Sequence, residues 1–214
     1  SANGWHCDEA VDEQLFMLEK YDCPPSVMVL EAWSDESTFY RWNAVWPDPA
    51  ATVRRVRERG LHLVLWQIPA LKALKDCPDA EPARRDWEEA VAKGYVIRQE
   101  DGAPYVIPDK WFAGSLLPDF TNPAACRWWF DKRQPLLEMG VEGFKTDGGE
   151  FLFGSNIRLA DGTPGGEAHN RYPMQYAKAY HRWMKENGVE GVTFRRAGYT
   201  GVQPVPIHWA GDQL

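Results

Sequence analysis

The stretch LHLVLWQIP, residues 61–69, decides the fold. Apart from His62 it is apolar through Trp66, which reads as a β-strand covered on both faces, with the polar Gln67 falling at its end. SVMVLEAW (26–33) has the same character, and polar residues arrive only after Leu30. Between the two strands, DPAATVRRVRERG predicts a helix near 49–59, with Asp48 as N-cap, Pro49 at the first helical position and Gly60 at the C-terminus. Strand, helix and strand joined by short loops argue for a parallel α/β architecture.

The pattern continues on both sides. Val11, Leu15, Leu18 and Tyr21 recur at helical spacing behind an acidic first turn, which predicts a helix over 8–21. Further helices are expected near 83–93, at 123–138 and at 171–187, the last with Met174, Ala177, Tyr180 and Met184 on one face. GVEGFKTDGGE (140–150), GVTFRRAG (191–198) and VPIHWAGD (205–212) read as short strands. Residues 95–122 break the rhythm with Pro-containing turns and a hairpin, as insertions over the catalytic face of a parallel barrel do. Five strands are fewer than the eight of a closed (β/α)8 barrel, so the expectation is one partial barrel over 1–214, about strands 2 to 6.

Composition narrows the function. The 214 residues are 44% hydrophobic, enough for one sizeable core. Lys and Arg number 24 against 31 Asp and Glu, a net charge of −7 that argues against nucleic acid and anionic membranes. The four cysteines lack CxxC spacing and the five histidines lack HExxH spacing, so neither a disulfide framework nor a metal site is expected. No apolar run is long enough for a membrane span and the start does not read as a signal peptide, a pattern that leans towards a cytoplasmic location. Eleven tryptophans, several beside acids or glycines at strand ends, suit the C–H faces and hydroxyls of sugars.

In a parallel sheet the reactive groups gather at the C-terminal strand ends, here Glu31, Trp66 with Gln67, Lys145 with Asp147, Arg196, and His208, Trp209 and Asp212. Asp147 and Asp212 are acids on different strands, the arrangement that cleavage of a glycosidic bond requires. Asp147 in TDGG equally suits a turn, and Asp212 a plain GD turn. Lys145, two residues before Asp147, is expected to share its side of the sheet, where it either supports the charge of Asp147 or forms a plain surface ion pair. Arg195 and Arg196 read either as a solvated pair or, at a buried strand end, as the partner of Asp147.

Four segments in order, LLPDFTNPAA (116–125), GFKTDGGE (143–150), HNRYP (169–173) and RRAGYTGVQPVPIHWAGD (195–212), resemble glycoside hydrolase family 31. That family comprises retaining α-glycosidases and α-transglycosylases on a (β/α)8 barrel. The resemblance implies that Asp147 is the nucleophile and Asp212 the general acid/base. It further implies that Glu31, Trp66, Trp111, Lys145, Arg196, His208 and Trp209 bind the substrate, an α-linked oligosaccharide or glycoside, without a cofactor. Glu31 stands where the family usually has an aspartate, which implies a sugar other than plain glucose. The wording EAWSDESTFY (31–40) looks closest to branches that transfer α-glucosyl or isomaltosyl groups and to α-galactoside-type enzymes. Hydrolysis and transglycosylation share these residues. A carbohydrate-binding fragment without turnover, or a segment that associates with the remainder of a longer catalytic chain or with itself, is the competing reading for so few strands.

Overall fold

The computed structural model describes Gly4 and residues 6–212. Four parallel strands form the central sheet in the order β1 (Val27–Leu30), β2 (His62–Gln67), β4 (Gly143–Thr146) and β6 (Val192–Arg195). The register runs Leu30 beside Leu65, Gln67 beside Thr146, and Thr146 beside Arg195. All four therefore end at one edge, where the loops that follow them converge.

The first helices form where capping and periodicity place them. Helix α1 (Asp8–Lys20) buries Val11 and Leu15. Helix α2 (Pro49–Glu58) is capped by Asp48, which accepts from the Ala51 amide at 2.9 Å. Helix α3 (Glu81–Lys93) ends on Gly94 in the left-handed conformation, as C-terminal glycines do. One hydrophobic cluster runs from Val11 to Met184 and includes every apolar residue of β2 except Val64 and the partly buried Trp66 packed against it.

Three expectations need correction. The helix expected over 123–138 is two, α4 (Pro123–Asp131) and α5 (Gln134–Met139). Pro135 lacks the N–H that a continuous helix would need there, so the chain turns at Arg133 and restarts. The helix expected at 171 begins six residues earlier, as α6 (Gly165–Glu186), and carries Pro173 inside it. The strand expected at 205–212 is a single parallel bridge, His208 to Arg195, closed by bonds from Arg195 N to Ile207 O and Trp209 N to Arg195 O.

The insertion at 95–122 contains the expected hairpin, with Tyr105 N donating to Ile97 O at 2.8 Å. A second insertion, invisible in the sequence pattern, follows β4. Strand β3 (Arg98–Gln99) pairs antiparallel with β5 (Ile157–Arg158), so the two insertions form one layer over the strand ends. Asp119 clamps them together: it is 3% exposed, its Oδ1 accepts from the Thr121 amide and hydroxyl, and its Oδ2 accepts from the Ala160 amide at 2.7 Å. Tyr172 of HNRYP donates its hydroxyl to Pro118 O at 2.9 Å, which ties two of the quoted motifs to each other.

Gly165 opens α6 against the backbone of this second insertion. A Cβ there would lie 2.5 Å from Gly154 O and 3.0 Å from Ser155. Helix propensity alone would make Gly165→Ala stabilising by about 1 kcal/mol. The close approach reverses the sign, and the expected result is a loss of roughly 1–3 kcal/mol in denaturant unfolding.

Candidate active site

Asp147 follows the last residue of β4, and Arg196 follows the last residue of β6. Because Thr146 and Arg195 are in register, the next residue on each strand faces the other across the sheet edge. The Asp147 amide donates to Gln67 O at 2.9 Å and so extends the ladder by one step. Gly148, with φ of +67°, then turns the chain away, and a Cβ there would meet Ile68 and Phe151 at 2.6 Å.

Both carboxylate oxygens of Asp147 are held. Oδ2 accepts from Trp66 Nε1 at 2.9 Å, and Oδ1 accepts from the Gly148 amide at 2.8 Å and faces Arg196 Nη1 at 3.3 Å. The residue is 5% exposed, so these donors replace the water it has lost. Arg196 is shared. Its Nη2 meets Glu150 at 2.5 Å, and the Nη1 that faces Asp147 also reaches Asp212 Oδ2 at 3.0 Å. The oxygens of Asp147 and Asp212 can be no farther apart than those two legs laid end to end. A separation of about 5–5.5 Å, that of retaining glycosidase pairs, lies within the bound.

The charge pattern beside this knot differs from expectation. Lys145 does share the cleft with Asp147, but its ammonium pairs with Glu31 at 2.7 Å and sits 4.9 Å above the Trp209 ring. Arg195 and Arg196 are not a solvated pair. Arg195 is buried, and its guanidinium donates to the carbonyls of Val202, Val205, Pro206 and Ile207, pinning the loop that carries Asp212. Burial lowers its pKa below the usual arginine value.

A cleft of about 1030 Å³ opens over the strand ends and is lined by Glu31, Trp66, Trp111, Lys145, Asp147 and Asp212. Arg196 and His208 line a neighbouring cleft that shares Asp212, and Trp209 lies beneath Lys145. Sequence reasoning missed Glu150, although its place three residues after Asp147 in GFKTDGGE was a usable signal. It also missed the aromatic wall of Phe39 and Phe112, whose centroids lie 5.6 Å apart in a T-shaped contact. Both adopt positive φ, 60° and 64°, a conformation that nothing in a phenylalanine codon position announces. Among the described residues no cluster of three His, Cys, Asp or Glu is arranged to hold a metal ion, and no helix is long and apolar enough to cross a membrane.

Residues 1–214 match the family model described as the glycosyl hydrolases family 31 TIM-barrel domain. The chain belongs to glycosyl hydrolase family 31. An isomaltosyltransferase of Sporosarcina globispora is 36% identical over 240 residues, covering 100% of this chain and 22% of that protein. A 1,3-alpha-isomaltosidase of Kribbella flavida is 34% identical over 237 residues, covering 100% of this chain and 32% of its own length. Among solved structures, a cycloalternan-degrading enzyme from Trueperella pyogenes in complex with a covalent intermediate superposes with a TM-score of 0.95 at 37% identity, over 99% of this chain and 32% of that one. The chain thus spans between a fifth and a third of the length of these family 31 relatives, and the parallel sheet is a portion of the TIM barrel that the family model describes.

The Glu31–Lys145 pair is nearly enclosed, with side chains 18% and 9% exposed. Lys145→Met removes the cation and leaves the acid, and is expected to cost about 1–3 kcal/mol in chemical denaturation. The double replacement Glu31→Leu with Lys145→Met should cost less than Lys145→Met alone, which a double-mutant cycle reads directly.

Proposed function

We propose that this chain is the part of a family 31 catalytic barrel that carries both reacting carboxylates, and that it processes α-linked oligosaccharides by double displacement with retention. Asp147 acts as nucleophile on the anomeric carbon. Asp212 gives its proton to the departing glycosidic oxygen, leaving the sugar esterified to Asp147. Asp212 then takes a proton from water or from a sugar hydroxyl as that oxygen attacks the same carbon and releases Asp147. The observation that carries this reading is the sharing of one Arg196 nitrogen between the two acids, which keeps them within reach of one sugar ring. The similarity to a family member with a covalent intermediate supports it.

Asp212 has a side chain 74% exposed and reaches the knot from the loop pinned by Arg195. Trp66, Trp111 and Phe39 offer faces for the ring, and Glu31 with Lys145, Arg196 and Glu150 offer partners for hydroxyls. His208 and Trp209 support the loop before Asp212. The two relatives named above, one a transferase and one a hydrolase, are nearly equally similar and both act on isomaltosyl groups by name, so an isomaltosyl or related α-glucosyl unit is the proposed donor sugar. Transfer to a second sugar and transfer to water use the same residues up to the covalent ester.

Incubation of the protein at its natural length with a panel of 5-fluoro-α-glycosyl fluorides, followed by intact mass and peptide mapping, tests the assignment. One sugar should label Asp147. Asp147→Ala should lower turnover by a factor on the order of 10⁴ or more, whereas Asp212→Ala should keep much of its activity on aryl glycosides with good leaving groups and lose it on oligosaccharides. Equal turnover of an activated aryl glycoside by wild type and Asp147→Ala would sink the assignment.

A further inference from the structure

Gln67 is the last residue of β2, fully buried, and its side-chain amide makes four hydrogen bonds. Nε2 donates to Phe39 O at 2.7 Å and to Trp66 O at 2.9 Å, while Oε1 accepts from Arg133 Nε at 2.6 Å and from the Tyr180 hydroxyl at 2.9 Å. Arg133 Nε can only donate, the Tyr180 hydroxyl accepts from Trp129 Nε1 and so has its proton for Gln67, and the two carbonyls opposite can only accept, which permits one orientation of the amide. Arg133 is itself fully buried, stacks 3.6 Å from the Trp129 ring centroid and donates Nη1 to Trp129 O at 3.0 Å. Among the described residues it forms no ion pair, so its charge is met by aromatic faces and neutral oxygens, of which Gln67 Oε1 is the shortest contact.

A buried cation whose shortest contact orients a side-chain amide calls for a reason beyond filling space. Phe39 supplies one. Its left-handed backbone is strained for a residue with a side chain, and such strain persists only where the surroundings enforce it. Two groups grip it on either side: the Asp35 carboxylate takes the Phe39 amide at 3.2 Å, and Gln67 Nε2 takes the Phe39 carbonyl. Held this way, the Phe39 ring meets the Trp66 ring edge to face at 5.8 Å. The Trp66 carbonyl is gripped too, by Gln67 Nε2 and by Trp33 Nε1 at 2.9 Å, and its indole N–H donates to Asp147.

We propose that Gln67, oriented by Arg133 and Tyr180, is a positioning residue for the sugar pocket: it pins Phe39 in its strained conformation against Trp66, and so keeps the Trp66 indole N–H aimed at Asp147. Gln67 and Arg133 touch no sugar in this scheme. Their influence passes through two backbone carbonyls and one ring contact to the carboxylate. The kinetic consequence rests on the reading of Asp147 as nucleophile, while the geometric one does not.

Gln67→Glu separates positioning from simple core stability. The side chain keeps its shape and gives the buried guanidinium a carboxylate partner, but it loses the two donors that hold Phe39 and Trp66. The protein at its natural length, carrying 15N-labelled tryptophan indoles with the Trp66 signal assigned through Trp66→Phe, provides a readout independent of activity. For Gln67→Glu the melting temperature should fall less than for Gln67→Met, and the Trp66 indole proton should move upfield as its bond to Asp147 weakens. The rate of labelling by the 5-fluoro-glycosyl fluoride that reacts with wild type should fall roughly tenfold or more. Gln67→Met, which removes the whole hydrogen-bonding group, should move the same resonance in the same direction and lower the melting temperature. An unmoved Trp66 signal in Gln67→Glu overturns the proposal, as does an unchanged labelling rate in a variant whose Trp66 signal has moved. If wild type is not labelled at Asp147 by any sugar, the nucleophile reading fails, and the indole resonance alone decides whether Gln67 positions Trp66.

Discussion

Three carboxylates converge on the guanidinium of Arg196, and the geometry of the strand ends depends on that convergence. Asp147, Glu150 and Asp212 would repel one another at this range, and one of them is buried with little water to screen it. A cation at the centre lets all three face the same space. Its position is not a matter of side-chain chance, since β4 and β6 are hydrogen-bonded neighbours whose register sets Asp147 opposite Arg196. An arginine suits the place better than a lysine would, because a planar fork with several N–H groups can serve separate acids at once.

The segments that define the family divide into those that make this knot and those that hold it still. GFKTDGGE and the stretch from Arg195 to Asp212 contribute the charged groups. PDFTNP lines neither cleft, and HNRYP reaches only the neighbouring one, through His169, Asn170 and Pro173. Asp119 fastens one insertion to the other, Asn122 caps α4 by accepting from the Ala124 amide at 2.9 Å, and Tyr172 reaches back to Pro118. Tyr105 continues the frame from the first insertion, donating to Phe151 O at 2.8 Å and accepting from the Phe153 amide at 3.0 Å, and thereby fixes the loop that leaves Asp147. A site whose acids must stand within a fraction of an ångström of a working geometry needs this second layer.

The parallel sheet was legible because buried strands and capped helices leave local marks: LHLVLWQIP and SVMVLEAW are apolar on both faces, and Asp48 with Pro49 announces α2. The nucleophile and acid/base candidates were legible through motif order. What stayed hidden was non-local or contrary to propensity. The start of α6 reads as a break, since Gly165, Gly166 and Pro173 all disfavour helix, yet the first of these is required by the backbone packed against it. Strands β3 and β5 are two residues each and exist through pairing across nearly sixty residues of chain. Lys145 was expected to favour Asp147 from its spacing, but spacing along a strand fixes a face and not a partner, and Glu31 on the far side of β2 is the acid it meets.

That choice of partner bears on what the pocket recognises. Lys145 is tied to Glu31 and leans on Trp209, while Asp147 is held by Trp66, Gly148 and Arg196. The pair at Glu31 can therefore donate to and accept from a hydroxyl with little net charge. The cleft continues beyond this point to Glu36, Lys72 and Lys110, so its volume, at the upper end for a single small ligand, extends from Asp147 along a polar rim. In the reading proposed above, that rim leaves room for more than one sugar ring, and the open side of the cleft lies at Asp212, whose side chain is 74% exposed.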